Sequence, residues 1–87
     1  ANFSESSLIK ANLCGAIANN ANFKDTNLEE ANLSYGSFVK ACFLNANLEN
    51  TIVVEADFKN ASGLTNQQKE YLREKGAINV PPNTTLD

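Results

Sequence analysis

Apolar and polar positions recur every five residues from Ala1 to about Thr65. Read in fives, the chain runs ANFSE, SSLIK, ANLCG, AIANN, ANFKD, TNLEE, ANLSY, GSFVK, ACFLN, ANLEN, TIVVE, ADFKN, ASGLT. The first position of every unit is Ala, Ser, Thr or Gly. The third is Leu, Phe or Val except at Ala18 and Gly63, and the second is mostly Asn. An amphipathic helix needs apolar residues at i, i+3, i+4 and i+7, and a flat strand needs alternation. A five-residue period fits neither. It fits a backbone that turns a corner in every unit, with the first and third side chains inward and the other three outward. A small residue beside a large one suits a narrow, filled interior. Gly, Asn, Asp and Ser suit the tight corners.

These units resemble the pentapeptide-repeat family, whose consensus is A-(D/N)-L-x-x, over roughly residues 1–65. The resemblance implies an all-β fold: a right-handed quadrilateral β-helix with four units per coil, about three coils here. The residues give their own support for four units. At a spacing of twenty, one column reads Phe3, Phe23, Phe43, Gly63 and the next Leu8, Leu28, Leu48. A third reads Leu13, Leu33, Val53 and a fourth Ala18, Phe38, Phe58. Like stacks on like, at the ~4.8 Å spacing between strands. Gly36 shares a unit with the large Phe38, which reads as volume compensation. Ala18 leaves space above Phe38 unless Ile17 turns inward.

The chain is short enough for one domain, divided here into a repeat column over 1–65, a helix and capping tail over 66–82, and a flexible end over 83–87. Such a stack needs capped ends. Thr65 and Gln68 have the spacing of a capping box. They open a helix that runs to about Lys75 and stops at Gly76. Tyr71, Leu72, Ile78 and Val80 are expected to cover the last coil. The ending Gly63-Leu64-Thr65, Gln67-Gln68, Gly76-Ala77 and Pro81 resembles that of cyanobacterial members of the family. No comparable cap precedes Ala1. A missing preceding segment, or a weak dimer through that end, is expected to shield Phe3, Leu8 and Leu13; otherwise the chain is a monomer.

Candidate chemistry is sparse. The chain has no histidine, which removes the usual general base and the commonest metal ligand. Cys14 and Cys42 fall on different faces, so both are expected free, and no metal or cofactor is implied. Glu29 and Glu49 stack on one face, but that face is convex, and sites are concave. The stacked Asn pairs, such as Asn27 on Asn47, can hydrogen-bond along the stack or within turns. A net charge of −3 with Lys10, Lys24, Lys40 and Lys59 among the acids is too weak for a duplex-DNA mimic. Some members of the family are such mimics and bind gyrase, so this is kept as the alternative function. No basic patch interleaved with aromatics suggests nucleic acid, and no apolar run is long enough for membrane insertion. Cytoplasm, periplasm and thylakoid lumen are equally compatible with a soluble module.

Apolar residues in outward positions are the remaining signal: Ile9, Val39, Leu44, Ile52 and Val54. Of these, Val39, Leu44, Ile52 and Val54 form the candidate interaction surface. The reading is a non-catalytic repeat module, a protein-interaction scaffold or rigid structural unit, with a protein partner of unknown identity.

Overall fold

The structure, a computed structural model, describes residues 2–83. The expectation of a loose end therefore falls largely on Thr84 to Asp87, outside the described residues.

The local unit follows from one repeated turn. The first-position N–H donates to the third-position carbonyl of the preceding unit, as Ser6 does to Phe3 at 3.1 Å and Ala46 to Phe43 at 3.0 Å. The fifth residue, just before that donor, is left-handed. From Glu5 to Asn60 the non-glycine residues there have φ between 55° and 63°, and Gly15 sits at 73°. Left-handed backbone costs an L-residue roughly 1–2 kcal/mol, and here it recurs at Lys10, Glu30 and Tyr35 as well as at Asn and Asp. The stacking of the units must offset it.

Pairing between units is parallel and spaced by twenty residues. Asn2 pairs with Asn22 and Asn22 with Cys42; Ser7 with Asn27 and Asn27 with Asn47; Asn12 with Asn32 and Asn32 with Ile52; Ile17 with Ser37 and Ser37 with Asp57. Four independent columns at one spacing make a four-sided β-helix. Each straight stretch is short, so pairing takes the form of single-residue bridges rather than long strands. One interlock recurs. The third-position N–H donates to the second-position carbonyl of the next coil, as Phe23 does to Cys42 at 2.7 Å. The fifth-position N–H donates to the next fourth-position carbonyl, as Glu30 does to Glu49 at 2.9 Å. The second-position N–H returns to the first-position carbonyl of the coil before, as Asn32 does to Ala11 at 2.9 Å.

The second position explains its own preference for Asn. Its Oδ1 accepts from the fourth-position N–H of the same unit: Ser4 to Asn2, Cys14 to Asn12, Lys24 to Asn22, Glu29 to Asn27, Ser34 to Asn32 and Glu49 to Asn47, all at 2.9–3.1 Å. Asp57 does the same for Lys59. The amides therefore close turns locally rather than bonding along the stack. At Val39, where the second position is Ser37, Asn19 of the coil above accepts instead, at 3.1 Å.

The interior is one column of first and third positions. From Ala21 to Ala61 these side chains are buried, including Phe23, Leu28, Leu33, Phe38, Phe43, Leu48, Val53 and Phe58. Phe3, Phe23 and Phe43 stack with centroids 5.1 and 5.0 Å apart and planes within 8° and 3°. Phe38 and Phe58 stack at 5.4 Å. Ile17 does not turn inward: it is 83% exposed. Phe38 is instead flanked edge-on by Phe23 and Phe43, and a Cβ on Gly36 would lie 2.6 Å from its ring. In the first coil, Phe3, Leu8, Leu13 and Ala18 are only partly buried.

The column ends at Ser62, which pairs with Cys42. Gly63 does not continue the first face: at φ 80° it turns the chain against the Leu44 backbone, and Leu64 enters the core instead. Helix α1, Asn66–Glu74, follows. Its capping box is formed by Thr65 and Gln68, and Leu72 is fully buried. The cap replaces a missing coil group by group. The four first-position carbonyls of the last coil are those of Ala41, Ala46, Thr51 and Ala56. They accept from the Ser62 N–H, Gln68 Nε2, Tyr71 Oη and the Ile78 N–H at 2.8–2.9 Å. Ile78 thus acts through its backbone, and the residue stays 44% exposed. Tyr71, Leu72 and Val80 do pack on the core.

Candidate functional site

Every outward apolar residue singled out in the sequence lies in a unit without Asn at its second position. Ile9 and Val39 follow Ser7 and Ser37, Leu44 follows Cys42, and Val54 follows Ile52. These units lack the local amide that caps the fourth-position N–H elsewhere, so polar turn closure and polar surface are lost together. The structure distributes the four candidates. Leu44 is 44% exposed on the first face, beside the Gly63 turn. Val39 is half-buried on the fourth face. Ile52 and Val54, 50% and 43% exposed, share the last unit of the third face. Ile52 and Val54 gather with Thr51, Tyr71 and Lys75 around a shallow depression of about 370 Å³. Tyr35, whose N–H donates to the Val54 carbonyl, lies one coil above.

A larger cleft of about 600 Å³ opens between the last unit of the second face and α1. Ala46, Asn47, Leu48, Glu49 and Asn50 form one wall, and Thr65, Gln67, Gln68 and Tyr71 the other. Sequence reasoning missed it, because the cleft exists only where the helix leans on the column. Glu49 borders it but Glu29, one coil above, does not, so the stacked carboxylates do not face each other across a concave site. Among the described residues no group of three His, Cys, Asp or Glu side chains could hold a metal ion. Cys14 and Cys42 are both free thiols. No helix among them is long and apolar enough to cross a membrane.

Two cations of α1 make contacts that their helical positions alone do not reveal. Lys69 is 7% exposed, and its Nζ donates to the Pro82 carbonyl at 2.9 Å. Arg73 donates to the Pro81 carbonyl and to Asn83 Oδ1. Both fix the tail to α1.

Four columns of bridges at a twenty-residue spacing around a filled interior define a repeat solenoid of the four-sided β-helix class. Residues 1–34 match the family model described as pentapeptide repeats, in 8 copies. The matched segment is similar to pentapeptide repeats, and the same register continues past it to Ser62. A solved structure, a pentapeptide repeat protein from the Arabidopsis thaliana thylakoid lumen, is similar at 24% identity and a TM-score of 0.48. The alignment covers 87% of this chain and 74% of that one. No curated protein sequence matches the chain.

Proposed function

We propose that the chain is a non-catalytic module, a right-handed column of about three coils over 1–65 with its cap over 66–82, that serves as a rigid scaffold for a protein partner. The observation that carries this reading is the pairing of a filled, stacked interior with large apolar side chains left on its outside. Ile52 and Val54 stay exposed beside Tyr71 on a backbone fixed by coil-to-coil hydrogen bonds. Rigid backbone lowers the ordering cost of association, and contiguous exposed apolar side chains bordered by polar residues mark interaction sites. The interaction surface is centred on Ile52 and Val54, with Leu44 and Val39 on separate faces. Duplex-DNA mimicry gains no support, because lysines interrupt the acidic side chains. A cyanobacterial source remains part of the proposal through the resemblance of the chain's ending.

The test is capture of partners from the native host by the wild-type chain and by Val54→Glu, identified by mass spectrometry. The expected result is a reproducible partner lost on Val54→Glu and retained on Glu30→Lys, with circular dichroism unchanged. Identical capture by all three proteins, or none by any, contradicts a scaffold working through this face.

A further inference from the structure

We propose that the cleft between the second face and α1 binds an extended, basic peptide segment of a partner protein, whose main-chain carbonyls accept from the N–H groups of Leu48 and Asn50.

The coils interlock through donors that point toward the cap. On the second face, the N–H groups of Leu8 and Lys10 donate to the Asn27 and Glu29 carbonyls, and those of Leu28 and Glu30 to the Asn47 and Glu49 carbonyls, all at 2.7–2.9 Å. Leu48 and Asn50 come next in this series. The cap meets their coil unevenly. On the first face the Ser62 carbonyl accepts from Phe43, and on the fourth the Ile78 carbonyl accepts from Phe58. On the second face α1 brings only a donor, Gln68 Nε2, to the Ala46 carbonyl. The N–H groups of Leu48 and Asn50 therefore have no acceptor among the described residues, and both residues line the cleft. Leu48 is only 4% exposed, and a buried backbone donor without an acceptor is rare and costly. The Val53 N–H lacks an acceptor among the described residues as well, but Val53 is fully buried and stays out of a ligand's reach.

The lining selects the ligand. Two donors spaced in this way match the carbonyls of residues i and i+2 of an extended chain, as Asn47 and Glu49 already supply them to the coil above. A segment added to an open edge draws its affinity from such main-chain bonds. Among the described residues, Glu49 is the only charged side chain along the cleft. It repels a carboxylate or phosphate that would otherwise take the two donors, and it attracts a cation. In the register of the column, residue i+2 of the segment lies below Glu49, as Glu49 lies below Glu29, so the basic side chain belongs there. Residue i+1 points toward the interior, which Leu64 and Leu72 already fill, so it must be small. The side-chain amides of Asn50 and Gln67 also line the cleft and suit the remaining N–H and C=O groups of a peptide. The volume, about 600 Å³, lies within the ~300–1,000 Å³ of ligand sites. Neither Ile52 nor Val54 borders this cleft, so the peptide site stands apart from the apolar scaffold face.

The test is titration of the ¹⁵N-labelled chain with acetyl-ANGKN-amide and, separately, with acetyl-ANGEN-amide and sodium acetate, followed by amide shifts and amide exchange. The basic peptide should shift the Leu48 and Asn50 amides saturably, with a Kd of ~1 mM or below, and slow exchange at Leu48. The acidic peptide should bind about fivefold more weakly, and acetate should leave both amides unmoved. Glu49→Lys should reverse the order of the two peptides. Val54→Glu should leave the titration unchanged, which separates a failure here from a failure of the scaffold face. Three results overturn the proposal: no saturable shift at Leu48 with the basic peptide; an equal response to both peptides or to acetate; or an order of the two peptides that Glu49→Lys leaves as it was.

Discussion

At the scale of single residues, the repeat works by placing one demanding conformation and one small side chain in every unit. Tyr35 meets the first demand badly: it holds φ 60° and is 60% exposed. Tyr35→Asn should raise stability by about 0.5–1 kcal/mol, since Asn tolerates the left-handed region. A lower midpoint in urea would show that the Tyr35 ring contributes more than its backbone strain costs. Gly36 meets the second demand narrowly. Gly36→Ala forces the Phe38 ring to move and should cost about 1–3 kcal/mol, read from the same denaturation curve. The second-position amides make a graded prediction. Ser34 is buried and Cys14 exposed, so Asn32→Ala strands a buried N–H and should cost about 1–3 kcal/mol. Asn12→Ala leaves its N–H to water and should cost clearly less; equal losses would contradict the turn-closing role. The inward positions were legible in the sequence because their size restriction recurs in every unit. The role of Asn was not, because an amide can bond locally or along a stack and spacing cannot choose between them.

The elements show a similar division. The capping box at Thr65 and Gln68 and the stop at Gly76 could be read from residue types, since each answers a local backbone requirement. What the helix does to the column could not. Gln68 and Tyr71 act over 22 and 20 residues, on the carbonyls of Ala46 and Thr51, and no local pattern encodes such a reach. Ile78 reads in the sequence as an apolar cover for the last coil, whereas its backbone extends the ladder beneath Asp57 and the residue stays 44% exposed. The burial of Lys69 was equally hidden, because it depends on where the tail returns. Tyr71→Phe removes one hydrogen bond and should cost about 1 kcal/mol. Its effect on amide exchange should be strongest in α1 and the last coil. Uniform loosening of the first coil as well would mean that the column and its cap unfold as one unit.

For the whole molecule, stability rests on neighbouring coils, as in other stacked repeats. The position of a substitution along the column should therefore matter as much as its chemistry. Phe23 is sandwiched between Phe3 and Phe43 and is 1% exposed, while Phe3 is partly buried at the open end. Phe23→Ala should cost about 3–5 kcal/mol and Phe3→Ala markedly less. The candidate surface belongs to this scale too. Its residues could be listed from the sequence as apolar in outward positions. That Ile52 and Val54 meet Tyr71, while Val39 and Leu44 lie on other faces, depends on winding and on the docked helix together. The winding is the claim on which the scaffold proposal depends. It is tested most directly by hydrogen-bond scalar couplings in a ¹⁵N,¹³C-labelled sample. Coupling is expected from the amide of Phe23 to the carbonyl of Cys42, from Leu33 to Ile52 and from Phe43 to Ser62, each across a bond of 2.7–2.8 Å. Couplings from those amides to carbonyls at any other spacing would contradict the four-sided coil.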